Sequence, residues 1–330
     1  MTSCRTSAGP LRIVVSIINF RTPDLTIQCV ESVLADLGEL HAHVVIVDNF
    51  SADGSVRKIS RWIRELGPTA PVTLLKSEIN SGFSAGHNKA ILSFPADYYL
   101  ILNSDTLLQR GFFDAIVAAI QNNPNAGLYA PRVDYTGGQP QHTCFRFPNP
   151  ISEIIRGAHT GLITRTFKKY DVILNWPPPR NQIDWANFSC VLICHKLLND
   201  LGPMDEGYFL YFEDTAYCWK MRQAGWEIDY VPEARLVHFE GGSGPVESSI
   251  QNYERLPTYY YASRTRFFYQ AYGLKGLVLA NTCWYLGRLL AGSRILLGHP
   301  IPKTNATEWR DIWTNTLKPL DVDTCRRNLE

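Results

Sequence analysis

Apolar positions in the first third of the chain fall into short, β-branched runs separated by longer stretches with helical spacing. RIVVSII (12–18), VVIV (44–47), VTLLK (72–76) and YYLILN (98–103) are such runs. Uninterrupted apolar runs of this length mark strands buried on both faces. Thr22-Pro23-Asp24 opens a helix with the stripe Leu25, Cys29, Val33, Leu34, proline being suited to the first helical position. Ser55 is placed to cap a helix with the stripe Val56, Ile59, Trp62, Ile63, Leu66; Ser84 is placed to cap one through Phe94; FFDAIVAAI (112–120) follows the fourth strand. This alternation predicts right-handed βαβ units, hence an α/β fold with a mostly parallel sheet flanked by helices.

The pattern loosens over 125–185, where Gly137-Gly138, Asn149-Pro150 and the run from Trp176 to Pro179 signal turns. That stretch reads equally as a lid or acceptor-facing insertion and as a plain surface loop. Order resumes with a strand at FSCVLIC (188–194), a helix over 195–201, a helix from Glu213 to Ala224 stopped by Gly225, and strands WEIDYV (226–231) and ARLVHF (234–239). From 250 the chain is helical and aromatic.

Composition narrows the field. Thirty-two basic against 31 acidic residues leave a net charge of +1 over 330 residues, so no bulk attraction to nucleic acid is expected. Apolar content of 45% with 19% charged residues excludes disorder as the main state. The eight cysteines include no Cys-x-x-Cys pair and read as free thiols of a reducing compartment. The first ten residues lack an apolar stretch and read as a disordered tail without a signal peptide. In 274–298, Lys275 and Arg288 bracket only twelve uncharged residues, against about 20 for a bilayer span. The segment is therefore a buried or interfacial helix, and the expected location is cytoplasmic, with peripheral membrane contact open.

In open α/β sheets ligands bind beyond the carboxyl ends of the strands. Each of the first four strands ends there in a polar cluster: Asn19; Asp48 and Asn49, then Ser51, Asp53 and Ser55; 80–88 with Asn80, Gly82 and Asn88; and Asn103, Ser104, Asp105. Turns favour these residues anyway, but four clusters on one sheet edge point to a built site. Neither G-x-G-x-x-G nor a Walker loop is present, which argues for a nucleotide site made of side chains. Asp48 is placed to accept from a base or ribose. Asp105 is placed to hold Mg²⁺ or Mn²⁺ beside a diphosphate; alone it reads as a solvated turn residue. The aromatic run from Tyr208 to Phe212 ends in Glu213 and Asp214 at a helix start. Acids there either complement the helix dipole or form a general-base site. His238 precedes Glu240-Gly241-Gly242-Ser243-Gly244, as a metal ligand or as a structural strand histidine.

Six motifs in order resemble the GT-A-fold glycosyltransferases of family 2, in particular their rhamnosyltransferase-like branch. They are VDNFSADGS (47–55), NSGFSAGHN (80–88), LNSD (102–105), GPMDEGYFLYFED (202–214), the helix through AGW (224–226), and VPEARLVHFEGGSG (231–244). The resemblance implies a GT-A, Rossmann-like domain over 11–248, with a nucleotide-binding half (11–122) and an acceptor and catalytic half (123–248), and a helical C-terminal region over 249–330. It implies inverting transfer from a nucleotide diphosphate sugar, dTDP-rhamnose first, to a glycan or lipid-diphosphate-linked acceptor. Asp48 then matches the base-reading aspartate, and Asn80, Gly82 and Asn88 the loop beside the nucleotide. Asn103 and Asp105 match the ends of the metal motif, whose first acid is replaced by Asn103. His238 matches the histidine completing the metal site, and Asp214, with Glu213 beside it, the catalytic base. Ala216 stands where the pattern often has another aspartate. Arg264 and Arg266, among the aromatics of 259–273, either meet a lipid diphosphate or headgroups or belong to a helical hairpin packed on the sheet. A same-fold nucleotidyltransferase and a sugar-nucleotide-binding protein without turnover are the competing readings; a homodimer stays open.

Overall fold

A computed structural model describes residues 10–239 and 246–322. The expected N-terminal tail, apart from residue 10, and the loop Glu240–Gly244 lie outside the described residues. The chain divides into two compact units. One takes in residues up to 144, 186–206 and 220–243; the other takes in 145–185, 207–219 and residues from 244 onward.

The first unit follows the alternation of its sequence. Strands β1 (Arg12–Asn19), β2 (His41–Asp48), β3 (Val72–Lys76) and β4 (Tyr98–Asn103) alternate with helices α1 (Pro23–Asp36), α2 (Ser55–Leu66) and α3 (Gly82–Ser93). Then come β5 (Thr106–Leu108), α4 (Phe112–Asn122), β6 (Leu128–Asp134), and the short strands β7 (Cys144–Phe145) and β8 (Trp185–Ala186). The unit is completed by β9 (Cys190–Cys194), α7 (His195–Leu201) and β10 (Ile228–His238). Eight strands form one sheet in the order β3-β2-β1-β4-β9-β6-β10-β5. β1 to β4 pair in parallel, as do β6 and β10, while β9 runs antiparallel to β4 and β6 and β5 antiparallel to β10. The sheet is therefore mostly parallel. The apolar runs are its core: Val15, Ile17, Val44–Val47 and Leu100–Leu102 are fully buried. Gly86 on α3 lets that helix close on β1, since a Cβ there would collide with the Ile18 side chain.

Four local expectations shift. Ser55 is the first residue of α2, not its cap, and its hydroxyl bonds Asp53. α3 starts at Gly82, so Ser84 is an internal, buried residue. The strands expected at 226–231 and 234–239 are one strand, β10, whose register against β6 shifts between Val231 and Arg235; a bulge absorbs the turn signal of Pro232-Glu233 without ending the pairing. The loose stretch holds a central strand, β6, masked in LYAPRVD by its proline and charges.

The second unit is helical. It contains α5 (Pro150–Ala158), α6 (Gly161–Thr166), the start of α8 (Glu213–Gln223), α9 (Val246–Gln251), α10 (Thr258–Gly292, broken at Gly273) and α11 (Glu308–Asp311). Asn149 begins α5 with a reciprocal capping box to Ser152. α5 packs on α10 through two glycines: a Cβ at Gly157 would meet the Trp284 carbonyl, and one at Gly287 the Ile154 carbonyl. Of the six described cysteines five are buried and Cys283 is partly so.

Candidate functional site

The first unit gathers most of the sequence-selected residues at the carboxyl ends of its strands. The parallel register sets Asn19 of β1 beside Asp48 of β2. Asn19 donates to Asp48 Oδ1 at 2.7 Å and the Ser51 hydroxyl donates to it at 2.6 Å, while the Ser51 amide donates to Oδ2 at 3.1 Å. All three residues are buried. The next ring outward joins Asn49 to Asn80 Oδ1 (2.9 Å) and to the Gly82 carbonyl (3.0 Å). A cavity of about 310 Å³ opens beside it, lined by Asn49, Lys76, Ser81 and Lys89. The loop is wound through left-handed residues, Phe50 at φ 60° and Ala52 at φ 54°. A bulky residue held there is strained, and such strain clusters at functional sites. Phe50 is also half exposed. Its sequence motif carries no sign of this, because the strain comes from the fold of the loop.

Asn88 differs from its neighbours. Its amide donates to the Met204 carbonyl (2.9 Å) and Glu206 (3.0 Å), and its oxygen accepts from the Met204 amide (3.0 Å). Both ends of the side chain are thus committed to clamping 204–206. Ser104 meets the Thr22 hydroxyl at 3.3 Å, and Asn103 is held through its backbone to Ser189.

Asp105 and His238 are brought together by β5, which pairs antiparallel with the end of β10 and sets Thr106 opposite His238. Asp105 Oδ1 lies 3.2 Å from His238 Nε2, and this buried oxygen takes no hydrogen bond. Gln141 fixes the ring. Its amide nitrogen faces the His238 carbonyl (3.4 Å), so its oxygen faces Nδ1 (3.3 Å). Nδ1 thus faces an acceptor, and Nε2 faces the carboxylate. That contact is satisfied by positive charge between the two atoms, carried either by a proton on the ring or by a metal ion. A six-coordinate Mg²⁺ with bonds of about 2.1 Å sets neighbouring ligands about 3 Å apart. The pair therefore fits a divalent ion, and Gln141, unnoticed in the sequence, supplies the support that metal-bound histidines need. Among the described residues no cluster of three or more His, Cys, Asp or Glu side chains is placed for a metal.

Glu213 and Asp214 belong to the second unit and open α8. Tyr211 (φ 68°) and Phe212 (φ 65°) precede them in consecutive left-handed conformations, again strain beside candidate chemistry. Asp214 Oδ1 accepts from the Thr215 amide (2.6 Å) and hydroxyl (3.1 Å). Glu213 is buried with Oε2 unpartnered. Burial, then the Asp214 charge, pushes its carboxyl well above the usual range. The two acids thus sit in opposite environments.

Asp214 lines a cavity of about 640 Å³ with Tyr211, Phe212, Trp185, Tyr260, Arg156 and Arg264 among its walls. The arginines are already matched. Glu153 Oε2 receives Arg264 at 2.8 Å and Arg156 at 2.6 Å, Arg156 also reaches Glu308, and Arg264 reaches Asn281 at 2.8 Å. Burial alone raises the Glu153 carboxyl, but the two guanidinium groups outweigh it and hold it below its ordinary range. Arg264 is therefore not available to a membrane or a lipid diphosphate, as its aromatic sequence context suggests, because the fold buries it in this network.

Residues 13–170 match the model of glycosyl transferase family 2. The chain is 24% identical over 221 residues to the N-acetylglucosaminyl-diphospho-decaprenol L-rhamnosyltransferase of Mycobacterium tuberculosis, a match spanning 61% of this chain and 67% of that one. It is 24% identical over 235 residues to a low-salt glycan biosynthesis hexosyltransferase of Haloferax volcanii, spanning 68% of each. In fold it resembles a mannosyltransferase from Pyrobaculum calidifontis solved with GDP-Man and Mn²⁺, with a TM-score of 0.56 at 15% identity, over 96% of this chain and 86% of that one. Taken with the mostly parallel sheet, these matches give residues 13–170 as a glycosyl transferase family 2 domain in a GT-A-like fold, and support a glycosyltransferase.

Proposed function

We propose that the protein transfers a sugar, rhamnose from dTDP-rhamnose as the first choice, from a nucleoside diphosphate to a hydroxyl of a glycan or lipid-diphosphate-linked acceptor, with inversion. The contact of Asp105 Oδ1 with His238 Nε2 at 3.2 Å supports the reading, because a carboxylate and an imidazole meeting at a strand-end nucleotide site suit a divalent cation. The rhamnosyltransferase relative guides the choice of sugar and acceptor.

Asp48, held by Asn19 and Ser51, accepts from the nucleoside. Asn49, Asn80 and Gly82 shape the wall beside it, Asn88 holds that wall in place, and Asn103 and Ser104 border the diphosphate. Asp105 and His238 would hold Mg²⁺ or Mn²⁺, which would supply positive charge against the departing diphosphate. Asp214 takes the proton from the acceptor hydroxyl. The acceptor oxygen bonds to the anomeric carbon as the bond to diphosphate breaks, and the electron pair leaves with the diphosphate. Burial and the Asp214 charge push the Glu213 carboxyl well above its ordinary range, which makes it the poorer anion and assigns the basic role to its neighbour. Because Arg156 and Arg264 are neutralised by Glu153 and Glu308, the cavity suits a neutral sugar face against aromatic walls.

Thermal shift with a panel of nucleotide sugars, with and without Mn²⁺, tests this. The expected result is a rise in melting temperature that needs both donor and metal, followed by transfer to a lipid-linked N-acetylglucosaminyl acceptor. No shift with any donor, or a shift indifferent to metal, contradicts the reading.

A further inference from the structure

The second half of α10 departs from the pattern of a surface helix. Its inward stripe, Leu277, Ala280, Asn281, Trp284, Gly287 and Ala291, is buried. The opposite face should then be polar. Instead it presents Val278, Leu279, Tyr285, Leu286 and Leu289, the last 72% exposed. The following segment continues the pattern with Leu296 at 87% and Leu317 at 97% exposure. Three amphipathic rings border it. The Tyr285 hydroxyl donates to the Trp309 carbonyl and lies 3.2 Å from Trp313 Nε1. Helix α2 of the first unit shows the ordinary arrangement, with Arg57, Lys58, Arg61, Arg64 and Glu65 outward.

We propose that this face of the second unit rests on the surface of an anionic lipid bilayer. The charges select that occupant. Lys275, Lys303 and Lys318 are exposed, whereas the acids are buried and matched, Glu308 by Arg156 and Asp311 by Arg255 and Arg310. A cationic rim around an apolar face with tryptophan and tyrosine matches acidic headgroups over acyl chains. A second copy docked symmetrically would set like cations against each other. No described helix is long and apolar enough to cross a membrane, so the face lies on the bilayer. The inference is independent of the reaction, since it uses none of the residues assigned to it.

Flotation of the full chain with phosphatidylcholine vesicles, with and without phosphatidylglycerol, at low and high salt, is the experiment. Binding is expected only to the anionic vesicles at low salt. The pair Lys275→Gln and Lys318→Gln weakens it by roughly 25-fold, at about fivefold per lost cation. The pair Leu286→Glu and Leu289→Glu abolishes it. These side chains are exposed, so the melting temperature of both variants stays that of the parent, which separates lost docking from lost folding. The proposal is overturned if the parent fails to float with anionic vesicles at low salt, or if both variants bind as it does. It is equally overturned if sedimentation shows a dimer that the leucine pair dissociates while vesicles are ignored.

Discussion

Buried polarity takes different forms in the two units. In the first it is mostly short side chains at the ends of parallel strands: Asn19, Asp48, Ser51 and Asn88, linked by hydrogen bonds to one another or to backbone. In the second it is full charges under a cavity, with Arg264 and Glu153 only 2% and 5% exposed. The first kind is cheap to bury because each group finds a partner on the next strand or loop. The second is tolerated only while every charge keeps its counterpart. One unit thus holds a site through backbone topology, and the other through long side-chain pairs.

Their responses to pH follow from this contrast. His87 is buried on α3 with Nδ1 2.7 Å from the Ser16 hydroxyl, and burial pushes its pKa down to about 3. The unfolded chain binds that proton near pH 6.5 and the folded chain does not, so stability falls as pH drops from about 6.5 toward 3, by at most about 5 kcal/mol. Denaturant titrations of the parent and His87→Gln across that range should show a steeper loss of stability in the parent. Equal slopes would remove His87 from the account.

Breaking the second unit's charge network is the next largest effect. Arg264→Met leaves Glu153 with a single partner guanidinium and should cost about 3–5 kcal/mol. Adding Glu153→Gln should recover part of that loss. Urea denaturation of the two variants gives both numbers. A single variant as stable as the parent would mean that the network is not a stabilising feature.

Glu213 gives the smallest effect, with the opposite sign of pH dependence. Its folded pKa lies above the unfolded one, so its neutral form is accommodated at low pH and stability is lost as pH rises through the carboxylate range. Glu213→Gln should therefore melt higher than the parent at pH 7 to 8 and no higher at pH 4. A variant destabilised equally at both would show that the buried carboxyl serves as an anion.

The same contrast explains what the amino-acid sequence discloses. Strands β1 to β4 are apolar runs between turn signals, and a parallel sheet automatically collects their ends, so the strand-end positions of Asn19 and Asp48 are legible from the residue pattern, whereas Asp105 alone reads as a solvated turn residue and is in fact buried. β6 is not, since Pro131, Arg132 and Asp134 interrupt its apolar run, and Asp134 is matched by arginines 132 and 235. Glu153 and Arg264 are 111 residues apart and Arg156 and Glu308 are 152 apart. No local pattern signals such pairs, and without them Arg264 reads as a surface cation. Gln141 is equally silent, because its role depends on where the last strand ends.

The central claim is the assignment of roles, Asp105 to metal-dependent donor binding and Asp214 to the base. Isothermal titration of a nucleotide sugar with and without Mn²⁺ into the parent, Asp105→Asn and Asp214→Asn, with transfer rates measured on the same preparations, tests it most directly. The account predicts that Asp105→Asn loses the metal-dependent part of donor affinity. It predicts that Asp214→Asn binds donor as the parent does while transfer falls about 10²–10⁴-fold. Near-parental transfer by Asp214→Asn, or metal-dependent donor affinity that survives in Asp105→Asn, would contradict it.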